Sequence, residues 1–477
     1  MIPIRFGTAG WRALIAQDFT FDNVRFVAQA IADYLRSEKL HHKQILVGYD
    51  TRFLSENFAR TLTEVLTANG VQVLLCESDV PTPALALQIL KLKTAGSVNI
   101  TASHNPPDYN GIKFSTSWGG PALPEVTRFL EERCLHHQTE GKPIPHISLS
   151  EGRRKELVIP INPGPAYLKH MQGLIDFKIL KKARLTVVCD PLYGTGRGYL
   201  DKLLEESGCK VTVLHNWRDP LFGGGTPEPS KENLGELMEV MKKEKASLGL
   251  GTDGDSDRFG IVDSDGSFLT ANEILPLIVD HLVKTRKWTG VVARSVMTSH
   301  FLDAVARAHG LEVRETPVGF KYIAEIMLKE RNFVLGGEES GGLTIKGHIP
   351  EKDGILACLL MAEVRALAKK PLRQSLIDLQ KKVGFFHTER MNFFLPPDKM
   401  KTFKDRLMTH PPTTLGEFSV KRIVDIDGTK FMFKDQSWIG IRLSGTEPLV
   451  RLYAESDSPK KLKSLLEQGK KLIGINN

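Results

Sequence analysis

Ile45-Leu46-Val47-Gly48-Tyr49 is a strand-like apolar run; a helix-length stretch follows, closes on Ala68-Asn69-Gly70, and gives way to Val71-Gln72-Val73. The glycine stands where a helix ends in a left-handed turn. Two strands joined through such a helix form a parallel pair with a right-handed crossover. The pattern returns at Leu185-Thr186-Val187-Val188 with Glu206-Ser207-Gly208-Cys209-Lys210-Val211, and at Gly290-Val291-Val292-Ala293 with Ala308-His309-Gly310-Leu311-Glu312-Val313. Any α/β protein contains such units, but here each copy leads to a further apolar strand that runs into an unusual loop. Val98-Asn99-Ile100 enters Thr101-Ala102-Ser103-His104-Asn105-Pro106, and Leu248-Gly249-Leu250 enters Gly251-Thr252-Asp253-Gly254-Asp255-Ser256-Asp257-Arg258. Phe333-Val334-Leu335 enters Gly336-Gly337-Glu338-Glu339-Ser340-Gly341-Gly342. Ligands in open α/β sheets bind beyond the carboxyl ends of the strands. Three related domains are therefore expected to aim three loops at one point.

With 477 residues the chain is too long for one core, and 41% hydrophobic with 25% charged residues is ordinary for a globular protein. Its 64 Lys and Arg against 56 Asp and Glu give a charge of +8. That suits either a lysine-rich solvated surface or a cleft attracting anions such as phosphate esters. No dense basic tract or glycine-aromatic repeat points to nucleic acid. Cys76, Cys134, Cys189, Cys209 and Cys358 are far apart and form no CxxC, which argues against a disulfide framework and a zinc site. A reducing cytoplasm is the expected location. The first residues carry Arg5 and Arg12 but no apolar core of a secretory signal, and the apolar run from Ile355 to Ala362 is too short to span a bilayer. Composition breaks at Gly141-Lys142-Pro143-Ile144-Pro145, at the turn Asp265-Gly266 and at Lys369-Lys370-Pro371 predict domains at 1–150, 151–268, 269–371 and 372–477. Thr270 or Asn272 is the expected cap of the helix opening the third domain. The last stretch alternates like an antiparallel sheet and ends in a lysine-rich helix after Ser458-Pro459.

Asp253, Asp255 and Asp257 at i, i+2, i+4 can converge on one hard cation. A calcium EF-hand would need glycine and glutamate where Arg258 and Ser264 stand. Three carboxylates leave positions free for a phosphate oxygen, which suits Mg²⁺; an acidic turn of self-bonded aspartates is the plainer alternative. Ser103 has His104 beside it and Lys113 ten residues on, and it lies in no G-x-S-x-G nucleophile elbow. A turn closed by Asn105-Pro106 would also explain that loop. Glu338 and Ser340 sit among glycines that would let backbone approach a ligand, and a carboxylate can accept two hydrogen bonds from a sugar diol. Arg442-Leu443-Ser444-Gly445-Thr446-Glu447-Pro448 combines a guanidinium, hydroxyls and a glycine, as a phosphate cradle does.

Taken together and in order, Phe6-Gly7-Thr8-Ala9-Gly10-Trp11-Arg12, the Ser103 loop, Asp-Gly-Asp-Ser-Asp-Arg at 253–258, Gly-Glu-Glu-Ser-Gly at 337–341 and the segment from Arg442 to Pro448 closely resemble the α-D-phosphohexomutase superfamily. The resemblance covers nearly the whole chain. It implies three similar mixed α/β domains plus a smaller α+β C-terminal domain around a central cleft. It also implies a phosphoglucomutase or phosphomannomutase that interconverts hexose 1- and 6-phosphates through a phosphoserine at Ser103 and a hexose 1,6-bisphosphate. Phosphoglucosamine mutase is the nearest alternative, a metal-dependent phosphatase a more distant one, and a non-catalytic sugar-phosphate binder a third. By this resemblance Ser103, Lys113, Arg12 and His104 carry the chemistry, with Lys113 as acid or base. Ser103, Asp253, Asp255 and Asp257 hold Mg²⁺. Lys321, Glu338, Ser340 and Arg258 bind the substrate, with Arg442, Ser444, Gly445 and Thr446 on its non-reacting phosphate. Partners are small sugar phosphates, not nucleic acid or membrane, with monomer or dimer left open. The chain departs from the pattern at Ala13, where many relatives have glycine, and at Gly342, where some have histidine; His348 is the expected substitute.

Overall fold

The computed structural model describes residues 3–7, 10–443 and 449–475. All three copies of the repeat form the same arrangement. Strand Ile45–Tyr49 lies between Val73–Cys76 and Gly96–Ile100 and is parallel to both. Thr186–Asp190 lies likewise between Lys210–Val213 and Leu248–Thr252, and Val291–Ser295 between Glu312–Thr316 and Phe333–Glu338. The first strand of each copy is thus the central one. Helices cover such sheets, so the strands are continuous apolar runs rather than alternating ones: Ile45, Leu46 and Val47 are all fully buried, as are Val187 and Val188.

The glycines that close the crossover helices do what the pattern predicts. Gly70, Gly208 and Gly310 have φ of 78°, 83° and 69°. The following N–H groups of Val71, Cys209 and Leu311 reach back to the carbonyls of Leu66, Leu204 and Ala306 at 3.1, 3.1 and 2.9 Å. This is the Schellman closure, in which the left-handed residue lets two end carbonyls be satisfied.

After the third strand the chain turns back. Gly96–Ile100 pairs antiparallel with Tyr109–Thr116, and Leu248–Thr252 with Phe259–Asp263, so the Ser103 and aspartate loops are both hairpin connections at carboxyl ends of strands. Trp11–Leu14 extends the first sheet at one edge, and Val158–Ile161 closes its other edge beside Val73–Cys76. The first sheet therefore continues past residue 150, where composition alone put the first boundary. Asp265-Gly266 joins Phe259–Asp263 to the short antiparallel strand Phe268–Leu269. Helix Ala271–Arg286 starts one residue after Thr270, while the Asn272 side chain is turned to the Ser299 N–H (3.0 Å) and to Thr388 Oγ1 (3.2 Å).

The chain packs as two compact units. One comprises Met1–Thr270, Ala324–Arg331 and Ser340–Arg373; the other comprises Ala271–Ile323, Asn332–Glu339 and Gln374–Asn477. In the second unit a six-stranded antiparallel sheet carries helix Pro459–Ile473, which Ser458 caps by accepting the Lys461 N–H. Phe431, Ile439, Val450, Leu452 and Leu465 form its core. Val296 and Met297, from the third repeat, pack with Trp438 and Tyr453 of this sheet. Beside them Lys430 Nζ, almost fully buried, donates to the Val296 carbonyl at 2.7 Å, and Glu455 accepts from Trp438 Nε1 at 2.7 Å and from Ser299. All five cysteines are buried thiols. No helix among the described residues is long and apolar enough to cross a membrane.

Candidate active site

In the first unit the serine and aspartate loops meet. Ser103 takes a left-handed conformation (φ 54°), its N–H donating to Thr101 Oγ1 at 2.9 Å. Its hydroxyl donates to Asp253 Oδ2 at 2.6 Å and lies 3.3 Å from His104 Nδ1. The approach needs a glycine: a Cβ on Gly254 would lie 2.6 Å from the Ser103 carbonyl oxygen. Asp253 also accepts the Arg258 N–H at 3.0 Å, which closes its loop. Lys113 Nζ bridges Asp255 Oδ2 and Asp257 Oδ2, at 2.5 Å each. Arg12, on the neighbouring strand, donates to Asn105 Oδ1 at 2.8 Å. Arg12, His104 and Lys113 of the first sheet and Asp253, Asp255 and Asp257 of the second are thus gathered around Ser103.

Ser103, Asp253, Asp255 and Asp257 are fully buried. One carboxylate oxygen from each aspartate lies within 4.8 Å of the others. Asp255 Oδ1 and Asp257 Oδ1 are buried with no hydrogen-bond partner. Such acceptors are costly to leave unsatisfied, and hard oxygen donors converging at this spacing fit a divalent cation such as Mg²⁺. Burial together with Asp257 and Asp255 pushes Asp253 well above the usual carboxylate range. Burial also raises Asp257, but Lys113, Lys352 and Arg258 outweigh it and hold that carboxyl well below the range. Burial disfavours the Lys113 charge, yet Asp255 and Asp257 more than compensate and keep it an ammonium. Burial and Arg258 bring Arg12 down to about 10, and its Nε–H has no partner. Burial, with Arg258 and Arg12, holds the His104 imidazole neutral.

The second unit gathers another group. Glu338 Oε1 accepts the Gly319 N–H at 2.7 Å. The adjacent Val318 N–H donates to Asp427 Oδ2 at 3.1 Å, and the same oxygen accepts from Arg442 Nε at 3.0 Å. Glu338, the turn before Lys321, and Arg442 are therefore linked through consecutive peptides. Ser340 belongs to the first unit; Ser444, Gly445 and Thr446 lie outside the described residues.

Models for all four parts of one family match in order: the phosphoglucomutase/phosphomannomutase α/β/α domains I, II and III at residues 3–140, 165–266 and 270–383, and its C-terminal domain at 397–471. The chain belongs to the phosphoglucomutase/phosphomannomutase family. It is 31% identical to the phosphoglucomutase/phosphomannomutase of Thermococcus kodakarensis over 98% of both chains. It is 33% identical to the probable phosphoglucosamine mutase of Pyrococcus abyssi, over 98% of this chain and 97% of that one. The crystal structure of a phosphomannomutase candidate from Thermus thermophilus superposes with a TM-score of 0.84 at 32% identity, over 99% of each chain. Membership places the chain in the α-D-phosphohexomutase superfamily, with its four-domain α/β architecture. It is a mutase, an intramolecular phosphotransferase of the isomerase class.

Within this family member, two local readings of the sequence need correction. Gly336 and Gly337 do not open a loop for a ligand. They lie in strand Phe333–Glu338, where a Cβ would meet Ile323 Cγ2 at 2.2 Å and Leu275 Cδ2 at 2.4 Å. Close strand–helix packing, not ligand approach, requires them. His348 does not offer a nitrogen to a sugar: Nε2 bonds Asp353 Oδ2 at 2.8 Å and Nδ1 bonds His170 Nε2 at 3.0 Å. Sequence reasoning also passed over Lys352, whose Nζ donates to Asp257 Oδ2 at 2.8 Å, and Thr82, whose hydroxyl donates to Asp255 Oδ2 at 2.5 Å. A lysine ahead of a helix and a threonine opening one carry no local mark of such a role.

Proposed function

We propose that this mutase interconverts hexose 1-phosphate and hexose 6-phosphate, with glucose and mannose as its sugars, through a phosphorylated Ser103 and a hexose 1,6-bisphosphate. The supporting observation is the Ser103 hydroxyl 2.6 Å from Asp253 Oδ2, buried with Lys113, Asp255 and Asp257. Asp253, Asp255 and Asp257, with Ser103 itself, would hold Mg²⁺, which when bound neutralises charge on a transferring phosphoryl group. Arg12, with an unpartnered Nε–H, would add a second cation on that group. Lys113, held as an ammonium between two carboxylates, would act first as acid, giving its proton to the leaving oxygen, and as base only in the return step, when it takes that proton back. The neutral His104 would support the Ser103 hydroxyl without bringing charge. Lys321, Glu338, Ser340 and Arg258 would bind the sugar phosphate. Arg442, with Ser444, Gly445 and Thr446, would hold the phosphate that is not reacting. Transfer to a sugar oxygen breaks the bond from phosphorus to Ser103 Oγ; after the bisphosphate turns over, the serine regains the other phosphoryl group. On this reading the domains run over 1–150, 151–268, 269–371 and 372–477, with the first sheet completed from beyond 150.

A coupled assay with glucose, mannose and glucosamine 1-phosphates, each with and without the bisphosphate, tests the proposal. The expected result is mutase activity on glucose and mannose esters that the bisphosphate stimulates, EDTA abolishes, and Ser103→Ala loses. A strong preference for the glucosamine ester would transfer the chain to the phosphoglucosamine mutases. Steady release of free phosphate without an activator would instead mark a phosphatase.

A further inference from the structure

Arg52 is fully buried just beyond the first central strand, and all five N–H groups of its guanidinium are used. Nε donates to Asp50 Oδ2 at 3.1 Å. The other four go to one loop: Nη2 to the carbonyls of Ser103 and Asn105 at 2.7 Å each, Nη1 to those of Pro106 at 2.7 Å and Tyr109 at 3.0 Å. Asp50 Oδ1 accepts the Arg52 N–H at 3.0 Å and the Ser55 hydroxyl at 2.9 Å, which fixes the pair to the helix after it. The ring of Phe222, from the second repeat, lies 4.9 Å from the guanidinium. A left-handed, non-glycine Ser103 persists only where its surroundings over-determine it. Hydrogen bonds to its N–H and its carbonyl supply that restraint, and Arg52 makes the second.

We propose that Arg52 is a positioning residue for phosphoryl transfer: by gripping the Ser103 carbonyl and three more along the loop, it keeps the serine oxygen at the aspartates. A core arginine with only a packing role would alter stability and leave turnover of the folded enzyme intact. This proposal rests on the reading of Ser103 as the phosphoryl carrier, so Ser103→Ala is measured alongside.

The test uses the full chain with Mg²⁺, glucose 1-phosphate and glucose 1,6-bisphosphate, and follows kcat and KM together with thermal melting. Arg52→Lys keeps a charge but cannot span four carbonyls. It is expected to lower kcat by about 100-fold, the cost of misplacing a reacting atom by about 1 Å, with KM changed by less than about threefold. Guanidinium ion at millimolar concentration is expected to restore part of the kcat of Arg52→Ala, and none of that of Ser103→Ala. Asp50→Asn, a gentler change, is expected to lower kcat by about tenfold in a protein that still melts cooperatively. Ser103→Ala inactive with Arg52→Lys and Asp50→Asn at unaltered kcat would overturn the positioning role alone. Activity surviving Ser103→Ala would remove the phosphoserine reading and this proposal with it.

Discussion

Gly254 shows how little room the serine and aspartate loops leave between them. An added methyl would lie 2.6 Å from the Ser103 carbonyl oxygen, and that oxygen is held by Arg52. Gly254→Ala must therefore part the aspartates from the serine. Its kcat is expected to fall by about 100-fold or more with little change in melting temperature; an enzyme of normal turnover would show that the two loops need not touch. Asp255→Asn should weaken Mg²⁺ binding, read by titration calorimetry, because it removes one of three converging carboxylates and weakens the pairing with Lys113. Ser103 and the aspartates could be found in the sequence because each lies within a short stretch of unusual composition. Arg52, Thr82 and Lys352 could not, since their partners lie 51, 173 and 95 residues away and each is an ordinary residue type in an ordinary setting.

The crossover helices were readable for a different reason: a glycine after a helix and before a strand has a local physical cause. At Gly70 no atom lies within 4 Å of a hypothetical Cβ, so alanine there would meet only the left-handed backbone. Gly70→Ala should cost about 1 kcal/mol of stability without affecting catalysis; a larger loss would mean a contact is broken as well. The strand holding Gly336 and Gly337 misled for the converse reason, since a glycine pressed on a helix and one in a loop look alike in sequence. On helix Gly164–Leu174, His170 meets His348 and makes a pH prediction. Burial, and then His348, lower its pKa from 6.5 to about 4. Between those values the unfolded chain binds a proton that the folded one does not, so stability falls as pH drops from 6.5 toward 4 and this group adds nothing to the slope outside that range. His170→Gln should flatten that part of the melting-temperature profile; an unchanged slope would assign acid sensitivity to other groups.

Two compact units carry four matched family domains, and the final antiparallel sheet shares a buried seam with the third repeat: Val296, Met297, Trp438 and Tyr453, with Lys430 and Glu455 beside them. Calorimetry of the full chain should show no more than two transitions, and saturating Mg²⁺ should raise the one belonging to the unit that holds the aspartates. A separate third transition for residues 374–477 would show that the seam is weaker than its packing implies. Composition does not reveal this seam, because its residues look like core wherever they stand. The three repeats reach further back. In each, the first strand is central, the helix ends on the same left-handed glycine, and the third strand carries the segment that differs. Such a likeness is the mark that tandem duplication of one ancestral segment would leave behind. Backbone hydrogen bonds of the sheet and of the helix end hold this frame together, and none of them depends on which side chains stand at the carboxyl end of the third strand. Copies so built would be free to diverge at that end of the strand, where the three now carry a serine, a trio of aspartates and, as the last strand residue, a glutamate.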